Sequence, residues 1–60
     1  MEPEELRKIR KNLGFRNRAL LSAELGVSPR TIESWEQGRR KIPDWVHNLL
    51  LFLLKEKMSN

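Results

Sequence analysis

The chain carries one histidine, His47, no cysteine, and 12 lysines and arginines against 8 aspartates and glutamates. Without cysteine it has no disulfide, thiolate metal site or sulfur nucleophile. It has no glycine-rich phosphate loop, and its few carboxylates fall on helical segments where charge balance accounts for them. This inventory argues against an enzyme and predicts neither a metal nor a cofactor. Non-covalent recognition remains. Arg30 and Glu33 stand three residues apart, so on a helix a planar guanidinium donor and a carboxylate acceptor share one face. Arg39, Arg40 and Lys41 form an unbroken cationic run. The formal charge of +4 and a pI near 10.1 suit a polyanionic partner. Nucleic acid and an acidic membrane surface both answer to that description.

These side chains must be positioned by elements, and the turn signals cut the chain into short helical segments with no β-type alternation. The fold class expected is all-α, in one domain spanning residues 1–60. In the first segment Leu6, Ile9 and Leu13 recur at helical spacing, Pro3, Glu4 and Glu5 open it, and Gly14 closes it. Asn17 is suited to cap a second helix over about 17–25, where Leu21 and Leu25 lie four apart before Gly26. Ser28 and Pro29 start a third, about 28–37, with Ile32 and Trp35 on one face before Gly38.

A fourth helix, about 44–57, starts at Pro43 and Asp44 and is apolar at nearly every position from Trp45 to Leu54. Its pattern predicts two stripes, one of Trp45, Val46, Leu49, Leu50, Phe52 and Leu53, the other of Leu51, Leu54 and Met58. The first is expected in the core. The second is expected at a homodimer interface, because a contiguous apolar patch left in water commonly marks a protein contact. His47 falls beside that second stripe. The longest apolar run, Leu49 to Leu54, is far short of the roughly 20 residues that span a bilayer. The acidic start, Met1 to Leu6, does not resemble a secretory signal. The cations of the fourth helix cluster at its end rather than along a face, unlike a membrane-surface helix. A cytoplasmic, nucleoid-associated protein without membrane partners is expected.

Three stretches carry a family resemblance: IRKNLG in the first helix, RALLSAELGVSPRTIESWEQG from Arg18 to Gly38, and WEQGRRKIP from Trp35 to Pro43. Together they resemble the XRE family of Cro/C1-type helix-turn-helix repressors, and the likeness covers most of the chain. The family's unit has apolar residues at its fourth, eighth, tenth, fifteenth and eighteenth positions, filled here by Leu21, Leu25, Val27, Ile32 and Trp35. Gly26 occupies its glycine position, and Ser22 takes the small-residue position where alanine is more usual. Arg16 departs from the pattern, which prefers an apolar residue near there, and Phe15 is expected to supply that packing.

The resemblance implies a four-to-five-helix, lambda-repressor-like domain that binds double-stranded DNA and regulates transcription. Its third helix would enter the major groove. Base-reading positions carried over are Ser28, Pro29, Arg30, Glu33, Ser34 and Gln37. Arg30 suits guanine O6 and N7, and Glu33 suits cytosine N4, or could orient Arg30. Phosphate binding falls to Asn17, Arg18, Arg39, Arg40 and Lys41. Arg10 and Glu36 are expected to form a structural salt bridge. A dimeric repressor reading an inverted repeat is the function implied, in the manner of short phage-like or anti-CRISPR-associated autorepressors. The alternative is an antitoxin-type module that binds both its operator and a toxin partner.

Overall fold

Three helix starts among the described residues coincide with a residue that relieves the unsatisfied N–H groups of a first turn, either a proline that lacks one or a side-chain oxygen that accepts from one. The structure is a computed structural model that describes residues 1–58, with four helices and no strand among them: α1 Pro3–Asn12, α2 Arg18–Leu25, α3 Pro29–Glu36 and α4 Asp44–Met58. The all-α architecture expected for a Cro/C1-type domain is thus present, with four helices.

Pro3 occupies the first turn of α1, where its missing N–H costs nothing, and Glu4, Glu5, Arg10 and Lys11 complement the helix dipole at the two ends. Asn17 caps α2 by accepting from the Leu20 amide at 3.0 Å. Ser28 caps α3 by accepting from the Thr31 amide at 3.2 Å. Between α2 and α3 the chain reverses through Gly26 at φ +75°, with its N–H on the Ser22 carbonyl at 2.8 Å. That left-handed backbone disfavours any residue with a Cβ.

The core consists of Leu6 from α1, Leu21 and Leu25 from α2, Ile32 and Trp35 from α3, and Val46 and Leu50 from α4, joined by Ile42. Val27 and Phe15 pack against it from the two turns, so Phe15 fills the place that Arg16, which is exposed, does not. Ile42 has no periodic signal, since it stands alone between Lys41 and Pro43, yet it is buried. Ser22 is buried, and its hydroxyl donates to the Ala19 carbonyl at 2.7 Å.

The expected core stripe of α4 is corrected. Val46 and Leu50 are buried and Leu49 and Leu53 pack on the core, but Trp45 is 48% and Phe52 57% exposed. At about 100° per residue these two aromatic residues lie well to one side of the line through Val46 and Leu50. The three short helices cover only one side of α4. Its last turn is fastened by Lys57, whose Nζ donates to the Asn12 carbonyl at the end of α1.

Candidate nucleic-acid interface

A helix can present side chains to a groove only if something beneath fixes its axis. Below α3 that role falls to Glu36, whose side chain has no exposure. Arg10 Nε donates to Glu36 Oε2 at 2.9 Å, and Arg18 Nε donates to Glu36 Oε1 at 2.9 Å. Arg10 also donates through Nη1 to the Phe15 carbonyl at 3.0 Å, so the same guanidinium closes the turn between α1 and α2. One buried carboxylate therefore ties α3 to both α1 and α2. Two cations against one buried anion would be costly in a dry interior, but the Arg18 side chain is 36% exposed, so water shares its charge. Among the described residues no buried side-chain nitrogen or oxygen lacks a partner.

Arg18 is the residue whose surroundings depart most from expectation. Sequence placed it among the phosphate ligands at the start of α2. In the structure its guanidinium is turned inward, bonded to Glu36 and 3.6 Å from Glu33 Oε2 through Nη1. Glu33 correspondingly faces Arg18 across the helix pair rather than orienting Arg30 on its own helix. The reason is steric order: α2 and α3 pack at the turn, and residues at the start of α2 and the middle of α3 come side by side. Sequence spacing within one helix cannot reveal that proximity.

The outward face of α3 holds the other sequence-predicted positions. Pro29, Arg30 and Gln37 are exposed, and Ser34 and Glu33 are half-buried. Arg30 is the long cationic side chain of this face, with no ion-pair partner among the described residues. Ser28 is exposed, but its hydroxyl accepts from the Thr31 amide and shares a 2.9 Å hydrogen bond with the Thr31 hydroxyl. The cap therefore engages Ser28, which leaves it less free as a reader than its place in the motif implied. Asn17 likewise uses Oδ1 for its cap, and its amide N–H₂ group remains to donate outward.

Beyond α3 the chain turns at Gly38, φ +76°. The Arg39 and Arg40 amides both point back to the Ser34 carbonyl, at 2.9 and 3.4 Å. Arg39, Arg40 and Lys41 are all exposed. This folded-back turn holds three cations beside the C-terminal end of α3, while Ile42, next in sequence, anchors the segment in the core. The interface is thus a polar helix face whose Arg30 guanidinium has no ion-pair partner among the described residues, flanked by a basic turn.

On α4, Leu51 and Met58 are exposed and Leu54 is half-buried. Leu51, Leu54 and Met58 line a shallow groove together with Asn48, Phe52 and Lys55. Sequence reading missed Phe52 and Trp45 as members of the outer face, because it assigned both to the core stripe. Their position relative to Val46 was the available signal.

No curated protein and no solved structure matches the chain significantly. A family model described as Helix-turn-helix matches residues 6–44, from the first buried leucine of α1 through the basic turn. That span contains the clamp at Glu36, the glycine turn, the outward face of α3 and all three cations beyond it, and it makes this chain a member of the XRE, Cro/C1-type helix-turn-helix family of DNA-binding transcription regulators.

Proposed function

We propose that the protein is a dimeric transcriptional repressor that places α3 of each subunit in the major groove of an inverted repeat. The observation that carries this reading is the exposed polar face of α3, with Arg30 outside every ion pair and Arg39, Arg40 and Lys41 beside it. A guanidinium fork offers two parallel donors to guanine O6 and N7, and it is the commonest specific contact in that groove. Pro29, Ser34 and Gln37 complete the reading set, with Glu33 as its one acidic member. Arg39, Arg40, Lys41 and the Asn17 amide act as phosphate contacts, which set register and orientation without reading sequence.

The outer face of α4 supports dimerisation. It exposes Trp45, Leu51, Phe52 and Met58, and a second copy packed there buries apolar surface that a domain of this size otherwise leaves in water. Two subunits related by a two-fold axis would put their third helices into successive major grooves, about 34–36 Å apart. Occupation of such a site within a promoter excludes polymerase.

Selection from random duplex DNA with the purified protein tests the reading. The expected product is a palindromic motif whose half-sites lie one helical turn apart. Absence of any enriched sequence at low salt overturns it.

A further inference from the structure

Arg18 stands where a free cation would meet phosphate, yet both its observed partners are carboxylates. They differ in kind. Glu36 is wholly buried and is held from its other oxygen by Arg10, so it fixes Arg18 from beneath. Glu33 is 43% exposed and lies on the outer part of α3. The four side chains form one alternating series, Arg10, Glu36, Arg18, Glu33, running from the core to the surface. Turning Arg18 outward would strip the donor from a buried carboxylate oxygen, a loss that one exposed phosphate contact does not offset.

We infer that Arg18 is a positioning residue for sequence readout: anchored by Glu36, it holds the Glu33 carboxylate on the outer part of α3, and Glu33 so held selects cytosine by accepting from its N4 amino group. This rests on the reading of α3 as the base-contacting helix. A carboxylate brought to DNA meets repulsion from the phosphates on both strands, and a neighbouring cation offsets it. Arg18 supplies that compensation from within the protein. Its Nη1, 3.6 Å from Glu33 Oε2, leaves the carboxylate with acceptor capacity for a base. Cytosine N4–H₂ is the major-groove donor that a carboxylate of this kind pairs with.

The test is base preference measured column by column across the half-site for the full chain, Glu33→Ala, Arg18→Lys and Arg18→Gln, with salt dependence recorded for each. Lysine keeps the charge but lacks the planar fork that reaches two carboxylates at once. The expected result is a cytosine column preferred by about 5- to 150-fold in the unmodified protein, the range of one good base contact. All three variants flatten that column, keep the column read by Arg30, and keep the salt slope. Retention of the cytosine column in any of the three overturns the inference. So does a uniform weakening of all columns in Arg18→Lys, which marks a purely structural role, or a fall in the salt slope of Arg18→Gln of about 0.9 per subunit, which marks a phosphate ligand. Should Arg18→Lys fail to fold by thermal melting, Arg18→Gln, which keeps an N–H donor for the buried Glu36, decides the part of Arg18, and Glu33→Ala, which leaves the buried Arg10–Glu36–Arg18 contacts in place, decides that of Glu33. A protein with no preference in any column fails the reading of α3 itself, a result distinct from all of these.

Discussion

Arg10 on α1 and Glu36 at the end of α3 meet through a 2.9 Å hydrogen bond between Nε and Oε2, with the glutamate side chain entirely shielded from solvent. They are 26 residues apart in sequence. Since Arg18 occupies the other oxygen and the Phe15 carbonyl takes a second Arg10 donor, the pair is the hinge pin of three helices.

Loss of this pair should therefore be felt globally. Removing one partner of a buried ion pair costs about 3–5 kcal/mol, comparable with the whole stability of a small domain. Arg10→Met leaves Glu36 with Arg18 alone and is expected to abolish cooperative thermal unfolding, or to lower Tm by well over 10 °C at about 4–8 °C per kcal/mol. Circular dichroism melting measures it. A Tm change of only a few degrees would show that water replaces Arg10 readily.

Gly26 provides a cleaner test of backbone conformation. Its φ is +75°, and a Cβ built there meets no atom within 4 Å. Substitution therefore strains the backbone without a clash. Gly26→Ala should cost about 1–2 kcal/mol, and Gly26→Asn less, because asparagine tolerates the left-handed region better. Urea titration gives both values.

Ser28 and Arg30 should separate by function although they are two residues apart. Ser28→Ala removes the cap on Thr31 and should cost about 0.5–2 kcal/mol of stability with base preference retained. Arg30→Ala should leave stability unchanged and erase preference at one base pair, a loss of about 1–3 kcal/mol in discrimination. Arg39→Ala should instead weaken all sequences alike and reduce the salt slope by about 0.9 per subunit. Melting curves and binding isotherms at several salt concentrations distinguish the three.

The outer face of α4 predicts the oligomeric state. Phe52 is 57% exposed, so Phe52→Glu should keep the four-helix fold, lose the concentration-dependent part of the parent's stability, and sediment as a monomer where the parent sediments as a dimer. Its affinity for an isolated half-site should be preserved, while affinity for the full inverted repeat falls sharply. A parent chain that is monomeric at high micromolar concentration would overturn the dimer.

Much of the fold was legible because its signals are local. Asn17 and Ser28 declare helix starts by their side-chain oxygens, Gly26 declares a left-handed turn, and the spacing of Leu21, Leu25, Ile32 and Trp35 declares two helices that share an apolar side. Each depends on residues within a turn or two, and the chain's length leaves few ways to combine them. The motif placed Arg30 on α3 and the basic run just beyond its end for the same reason.

What the tertiary structure alone decided are relations between segments remote in sequence. Helical period identified two apolar stripes on α4 but could not say how wide a groove α1, α2 and α3 would offer, and that groove admits Val46 and Leu50 while leaving Trp45 and Phe52 outside. Ile42 shows no period and is buried by the path of the turn. Arg18 looks from sequence like any cation at a helix start. Only the packing of α2 against α3 brings it to Glu36 and Glu33, because the partner of a charge is set by the shortest distance in space, and that distance exists only once the helices have docked.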